Sequence, residues 1–149
     1  MPLVFVYGSL MNARSRESTI GFPVPARRAT LRPAAGLHRG WTFRSAPHRM
    51  TCLGVHRDPT RAARPVRGMV LRVDAATLAR LDVREQGYER ITLAPAHVHL
   101  EGDDGAAAAL EKEDGEAVYT YAVRHPQAPC AAFPVTDRYR ALCKKREET

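Results

Sequence analysis

The chain has 149 residues, of which 44% are hydrophobic, and this fits a single globular domain over 1–149. No apolar run approaches the roughly 20 residues of a membrane-spanning helix, and the first residues lack the basic and apolar regions of a secretory signal. The net charge of +7 is unevenly distributed, because 27–72 holds eleven arginines and one acid, whereas 101–116 holds seven acids and one lysine.

The first part of the chain predicts strands with one short helix between them. The apolar run at 2–7 predicts a buried strand, and the polar stretch 12–18 predicts one or two helical turns. Residues 26–37 contain Pro33, which indicates an edge strand or a bulged strand.

The middle of the chain contains the clearest strand. A turn around His38, between two glycines, precedes a half-buried strand with Trp41 and Phe43, and 51–56 predicts another strand. Residues 66–73 have the pattern of a central strand.

A helix follows that central strand. Asp74 is suited to cap it, because its carboxylate can accept the unpaired amides of the first turn. Residues 75–83 are good helix formers, and Gly87 favours a left-handed end nearby. Residues 90–100 predict one strand, with a bulge at Pro95.

The last part of the chain predicts a loop, a strand and a helix. Residues 102–115 are low in complexity and indicate a mobile hairpin loop. A strand at 117–123 and a helix capped by Thr136 and ending at Lys145 complete the pattern. Because strands dominate and the helices are short, we predict an α+β domain whose mixed sheet is strongly curved or forms a small β-barrel.

The first strand ends on Tyr7-Gly8-Ser9, followed by the apolar Leu10. Backbone amides at this end have no ladder partner, and Gly8 permits either a positive φ or the close approach of a ligand. Successive amides in such a turn can bind a carboxylate or a phosphate. An ordinary strand-to-helix turn is the alternative.

A second candidate lies where the predicted helix ends. Glu85 follows Leu81 by one turn, on the side of the helix that should be buried. Burial would raise the pKa of this carboxyl group and make it a stronger base. A plain salt bridge with Arg84, Arg90 or another nearby arginine is the competing interpretation.

These stretches together resemble the γ-glutamylcyclotransferase-like family, which includes γ-glutamylamine cyclotransferases and AIG2-like plant proteins. The ordered set spans nearly the whole chain and comprises Tyr7-Gly8-Ser9-Leu10, Gly68, Leu81-Asp82-x-x-Glu85, Gly87-Tyr88-x-Arg90 and Thr120-Tyr121. The resemblance implies a compact barrel with flanking helices and a cavity at its mouth.

The resemblance also implies residue roles. The backbone amides of Tyr7, Gly8, Ser9 and Leu10 would bind the glutamyl group, and Glu85 would be the general acid/base. Tyr121 and Tyr139 would line the same pocket. The implied reaction is intramolecular attack of the α-amine on the γ-carbonyl of a γ-glutamyl amine or peptide, which gives 5-oxoproline and a free amine.

This reaction sets the partners that we expect. The partner is a small γ-glutamyl substrate, and the expected reaction uses no cofactor and no metal. Neither nucleic acid nor a membrane is expected, and a monomer and a homodimer both remain open. Leu10 stands where many cyclotransferases have asparagine, and Pro134-Val135-Thr136-Asp137-Arg138-Tyr139 matches the family's Pro-Ser-x-x-Tyr only loosely; both departures concern the identity of the substrate.

Cysteine and histidine positions offer weaker alternatives. The odd number of widely spaced cysteines does not form a disulfide pattern, which favours a reducing, cytoplasmic setting. His48, Cys52 and His56 are spaced by four, as on a zinc-binding helix, but their neighbours are typical of a strand. A metal at His97 and His99 and a nucleophilic Cys130 are disfavoured for lack of partners.

Two other functions remain open at this point. The same fold could serve as a non-catalytic binding or regulatory protein for a small acidic metabolite. The arginine-rich segment 27–72 could bind a polyanion, although few aromatic residues are interleaved for stacking on bases. We favour the simpler interpretation that these arginines alternate outward along strands and stay in contact with water.

Overall fold

The computed structural model describes residues 1–101 and 116–144. These residues form eight strands and three α-helices, in the order β1 (Leu3–Val6), α1 (Ala13–Ile20), β2 (Ala26–Leu31), β3 (Leu37–Ser45), β4 (Met50–Arg57), β5 (Val66–Arg72), α2 (Ala75–Arg84), β6 (Glu89–Leu93), β7 (Val98–Leu100), β8 (Val118–Ala122) and α3 (Asp137–Lys144). Three short 3-10 turns lie at Ser9–Met11, Pro33–Ala35 and Pro95–His97.

All eight strands belong to one mixed sheet. The hydrogen-bonded order is β3-β4-β8-β1-β5-β2-β7, with β6 paired to β8. Strand β8 runs parallel to β1 and β4, and the remaining pairs are antiparallel. The predicted α+β class is therefore confirmed. The pairing leaves β3 and β7 at the two ends of this order, so closure of the sheet into the predicted barrel is not shown.

Strand β1 is buried on both faces of the sheet. Leu3 and Phe5 belong to one hydrophobic cluster, whereas Val4 and Val6 belong to a second cluster that also contains Ile20 of α1. Two buried faces explain why the strand is an unbroken apolar run instead of an alternating one. The run places the end of β1 deep in the molecule, at the point where the cavity described below begins.

Strand β5 is central, as predicted, because it pairs with β1 on one side and β2 on the other. Gly68 is required at its position in β5. A Cβ atom there would lie 2.3 Å from the backbone oxygen of Val6 and 2.6 Å from Cζ of Phe5. The missing side chain lets β1 lie against β5 close to the start of the Tyr7–Leu10 turn.

Two predictions about the sheet are wrong for the same reason. The segment predicted at 26–37 as an edge or bulged strand is interior, since β2 pairs with both β5 and β7. The single strand predicted at 90–100 is divided by the 3-10 turn Pro95–His97 into β6 and β7, which pair with β8 and β2. In both cases pairing with distant strands, which local pattern does not reveal, decides the outcome.

The predicted turn around His38 is also wrong. His38 lies within β3, opposite His56 of β4. The turn comes earlier, at Pro33–Ala35, and Gly36 ends it with a φ of 70°. The sequence indicated a turn between Gly36 and Gly40, but the strand that begins directly after Gly36 was not recognised.

Helices α2 and α3 begin at the predicted caps. The side chain of Asp74 accepts a 2.7 Å hydrogen bond from the amide of Thr77, and Thr136 accepts one of 3.2 Å from the amide of Tyr139. Helix α1 covers the helical turns predicted at 12–18. The hairpin loop predicted at 102–115 and the helix end at Lys145 lie outside the described residues. None of the helices in the described part of the chain has the length and apolar character that crossing a membrane requires.

Candidate active site

A cavity of about 620 Å³ lies between the end of β1, the β3–β4 hairpin, the end of α2 and helix α3. Its volume is within the range of pockets that hold small molecules. All of the site residues predicted from the sequence line it: Tyr7, Gly8, Ser9, Leu10, Glu85, Tyr121 and Tyr139. Residues far apart in the chain therefore meet at one concave surface.

The turn after β1 forms part of the wall of this cavity. Its internal hydrogen bonds run from the amides of Met11 and Asn12 to the carbonyls of Gly8 and Ser9, each at 3.0 Å. These bonds do not use the amides of Ser9 and Leu10, as is general for the first residues of a helix. Gly8 has a φ of −112°. This value excludes a positive φ, which was one of the two explanations that the sequence offered for a glycine at this position.

The turn is held from behind by a buried arginine. Arg16 of α1 is 8% exposed and donates from Nη1 to the carbonyl oxygens of Leu10 and Met11, at 3.2 and 3.1 Å. The side chain of Leu10 is buried in the core. With its carbonyls bound to Arg16, the turn is fixed before any ligand arrives.

Glu85 terminates α2 and lies in the wall of the cavity. Its amide donates a 2.8 Å hydrogen bond to the carbonyl of Leu81, and its side chain is 13% exposed. Burial raises the pKa of this carboxyl group, and the neighbouring Arg84 opposes that rise without cancelling it. A partly buried carboxylate with a raised pKa is suited to accept and return a proton.

Arg84 connects Glu85 to the turn. Its Nη1 donates to Oε1 of Glu85, and its Nη2 donates to the hydroxyls of Ser9 at 2.9 Å and Ser15 at 3.3 Å. The salt bridge that competed with a catalytic interpretation of Glu85 is thus present, with Arg84 as its partner. The same guanidinium fixes the carboxylate relative to the turn.

Two of the predicted tyrosines lie around the turn with different contacts. The hydroxyl of Tyr7 donates to the carbonyl of Tyr121 and accepts a 3.3 Å hydrogen bond from the amide of Val55, so it joins β1 to β4 and β8. Burial raises the pKa values of the phenols of Tyr7 and Tyr139. The hydroxyl of Tyr139 lies beside Gly8, 3.6 Å from where a Cβ atom of that residue would be.

Tyr121 forms a hydrogen bond with Asp82, the second acidic residue of the Leu81-Asp82-x-x-Glu85 motif. Its hydroxyl donates a 2.7 Å hydrogen bond to Asp82, which also accepts one of 3.0 Å from Arg90. This network ties β8, α2 and β6 together behind the cavity wall. These hydrogen bonds give Asp82, Arg90 and Tyr121 a structural role next to Glu85. A role of Tyr121 toward a ligand stays a prediction.

Sequence reasoning missed part of the cavity wall. The rings of Phe43 and Tyr88 stack at a centroid distance of 3.9 Å, and both line the cavity. Gly87, with a φ of 102°, allows this stacking, because a Cβ atom there would lie 2.9 Å from Cζ of Phe43. The Gly87-Tyr88 pair was visible in the sequence, but its partner on β3 was not.

The alternative sites are not assembled. His48, Cys52 and His56 lie on the β3–β4 hairpin instead of a helix, and within 1–101 and 116–144 no cluster of three or more metal-ligating side chains occurs. His97 lies in a 3-10 turn, whereas His99 lies on β7. Cys52 and Cys143 are buried, whereas Cys130 is exposed and lies outside the cavity.

A family model described as gamma-glutamyl cyclotransferase, AIG2-like, matches residues 4–140. The chain belongs to this family. The match covers the Tyr7–Leu10 turn, Glu85 and Tyr139 together, so the residues that carried the resemblance in sequence lie inside it. A comparison with curated protein sequences found no significant match.

Solved structures show the same γ-glutamylcyclotransferase-like fold at low sequence identity. A protein described as gamma-glutamyl cyclotransferase has a TM-score of 0.68 and 14% identity, with 98% of this chain and 78% of that one covered. A yeast γ-glutamyl cyclotransferase described as specific to glutathione has a TM-score of 0.61 and 17% identity, with coverage of 99% and 87%. An Arabidopsis thaliana protein has a TM-score of 0.57 and 24% identity, with coverage of 98% and 85%.

Proposed function

We propose that the protein is a γ-glutamylcyclotransferase, which converts a γ-glutamyl amine or γ-glutamyl peptide to 5-oxoproline and a free amine. The observation that carries this proposal is the position of Glu85. Glu85, whose carboxyl group has a pKa raised by burial, lines the same cavity as Ser9 and Leu10 of the turn after β1. A base and an anion-binding turn on one small cavity are what this reaction requires.

The reaction is a displacement within the substrate. The α-amine attacks the γ-carbonyl carbon, a C–N bond forms to close the five-membered ring, and the C–N bond to the leaving amine breaks. Holding the substrate folded, with the nitrogen beside the carbonyl, supplies much of the rate because the attack is intramolecular.

Glu85 would carry the proton in both directions. The α-amine is mostly protonated at neutral pH, so a base has to remove a proton before the nitrogen can attack. The carboxylate of Glu85 accepts that proton and then returns it to the leaving nitrogen. The raised pKa assists because it makes the carboxylate a stronger base than an exposed glutamate.

The turn would bind the charged part of the substrate. The amides of Ser9 and Leu10 are suited to bind the α-carboxylate or the oxyanion that develops on the γ-carbonyl oxygen. Because Arg16 already binds two carbonyls of this turn, the amides need no rearrangement to act. The rings of Tyr121 and Tyr139 would close the pocket around the glutamyl group.

One observation favours a different function on the same fold. Arg84 pairs with Glu85, and a paired carboxylate is a weaker base than an unpaired one. A protein that binds a small acidic metabolite without turnover would need the cavity and the turn but not a basic Glu85.

The Glu85→Gln variant distinguishes these functions. A panel of γ-glutamyl amino acids, γ-glutamyl amines and glutathione is assayed for 5-oxoproline, and substrate binding is measured by calorimetry. We expect turnover by the unmodified protein, and in the variant a fold and an affinity that are retained but no turnover. Glu89→Gln is the matched control, because Glu89 is four residues away, exposed, and outside the cavity. Activity that survives in Glu85→Gln would remove Glu85 from the mechanism, whereas binding without turnover in the unmodified protein would support the non-catalytic function.

A further inference from the structure

We propose that Arg16 of α1 supplies the positive charge with which the turn after β1 binds an anion. Its guanidinium acts through the peptide groups of the turn, which transmit its effect to the amides of Ser9 and Leu10. This role rests on the proposed function, because the anion is the carboxylate or the developing oxyanion of a γ-glutamyl substrate. Arg16 is then a positioning residue whose charge matters in addition to its grip on the turn.

A first chain of hydrogen bonds leads from Arg16 to the amide of Ser9. Its Nη1 donates to the carbonyl of Leu10 at 3.2 Å, and the amide of Met11, in the same peptide group, donates to the carbonyl of Gly8 at 3.0 Å. The peptide group of that last carbonyl ends in the amide of Ser9, which the internal bonds of the turn leave unused. A donor that polarises a carbonyl strengthens the amide of the same peptide group as a donor, so the effect passes along the chain.

A second chain leads from the same nitrogen to the amide of Leu10. The guanidinium donates to the carbonyl of Met11 at 3.1 Å, and the amide of Asn12, in that peptide group, donates to the carbonyl of Ser9 at 3.0 Å. The peptide group of the Ser9 carbonyl ends in the amide of Leu10, which the turn also leaves unused. One cation therefore polarises both of the amides to which the proposed mechanism assigns the anion.

No carboxylate in the described part of the chain neutralises Arg16. It forms no salt bridge there, its third contact is the weak acceptor Sδ of Met69 at 3.9 Å, and its buried Nε has no hydrogen-bond partner. Burial lowers the pKa of this guanidinium, but an arginine stays ionised at neutral pH. A buried cation without a counter-ion costs free energy, which a bound anion would offset. Arg84 differs in this respect, because its charge is already paired with Glu85.

Two variants separate the charge of Arg16 from its grip on the turn. Arg16→Gln keeps a neutral N–H donor, whereas Arg16→Lys keeps the charge but loses the planar fork. The ligands are 5-oxoproline and 2-pyrrolidinone, which is the same lactam without the carboxylate, and their affinities are measured by NMR titration. We expect Arg16→Gln to weaken binding of 5-oxoproline about tenfold and to change binding of 2-pyrrolidinone little, and Arg16→Lys to restore most of the loss.

The amide proton shifts of Ser9 and Leu10 in the ligand-free protein give a second readout. Polarised amide protons resonate downfield, so both signals should move upfield in Arg16→Gln and stay closer to their original positions in Arg16→Lys. Arg14→Gln is the matched control, since Arg14 lies on the same helix, is exposed and does not line the cavity. Neither readout should change in that control.

Equal losses for the two ligands in Arg16→Gln, or equal losses in Arg16→Gln and Arg16→Lys, would show that Arg16 only holds the turn, and would contradict the proposal. The unmodified protein provides a test that does not depend on the folding of any variant. It should bind 5-oxoproline more tightly than 2-pyrrolidinone, and equal affinities would overturn the role of Arg16.

Failure of the proposed function has a different signature. In that case no γ-glutamyl substrate releases 5-oxoproline from the unmodified protein, whereas the contrast between the two ligands and between the two variants persists. That result would refute the cyclotransferase activity and retain Arg16 as the source of charge in an anion-binding protein.

Discussion

Arg84 at the end of α2 donates a 2.9 Å hydrogen bond to the hydroxyl of Ser9 in the turn after β1. The two residues are 75 positions apart in the chain. Since the same guanidinium also pairs with Glu85, this one side chain fixes the carboxylate relative to a turn whose residues line the cavity. Catalytic groups need fixed relative positions, so Arg84 is a positioning residue in the proposed mechanism.

Removal of Arg84 should change the pH dependence of turnover. Burial raises the pKa of Glu85 and Arg84 opposes the rise, so Arg84→Gln should raise that pKa further. Turnover requires the ionised carboxylate and therefore increases with pH through the pKa of Glu85. We expect the acidic limb of the kcat/KM profile to move to higher pH in Arg84→Gln, with the largest loss of activity at acidic pH.

Arg84→Lys serves as the control for this shift. Lysine keeps the positive charge but loses the planar fork that reaches Glu85 and Ser9 together. We expect an acidic limb between those of the unmodified protein and Arg84→Gln. Identical limbs in all three proteins would mean that the ionisation of Glu85 does not govern the rate.

Tyr121→Phe should weaken the fold more than it weakens substrate binding. The variant loses the hydrogen bond from the hydroxyl to Asp82, which should lower the free energy of unfolding by about 1 kcal/mol in urea denaturation. Tyr119→Phe is the control, because Tyr119 contacts Arg90 through the face of its ring, which phenylalanine retains. If KM rises strongly in Tyr121→Phe while stability is unchanged, the hydroxyl contacts the substrate instead.

Gly68→Ala should destabilise the protein strongly. The added Cβ atom would lie 2.3 Å from a backbone oxygen of β1, and neither central strand can move away easily. We expect a loss of about 3 kcal/mol in the free energy of unfolding. In Gly40→Ala the nearest atom would be a side-chain methyl at 3.5 Å, so the change should stay within about 0.5 kcal/mol. Equal stability of the two variants would show that β1 and β5 can separate.

The elements with strong local signals were predictable. The apolar run of β1, the central pattern of β5 and the Asp74 cap of α2 all form as the sequence indicates. These features depend on residues close together in the chain, where burial pattern and capping chemistry act directly. The errors fall at β2, β3, β6 and β7, whose limits depend on which distant strands pair with them.

The candidate site was predictable as a set of residues but not as a set of contacts. The order of motifs identified the turn after β1, Glu85 and Tyr139, and all of them line one cavity. The stacking of Phe43 on Tyr88 and the contact of Arg44 with Ala128 join segments separated by dozens of residues. No local pattern carries that information.

By itself, the sequence determined the α+β class, the caps and the chemistry of the individual groups, because these follow from side-chain type and short-range spacing. Only the tertiary structure decided that Arg84 joins Glu85 to Ser9 and that the β3–β4 hairpin completes the cavity wall. The physical reason is that hydrogen bonds and burial depend on distances in space, and in a sheet with this strand order those distances are set by pairing between remote segments.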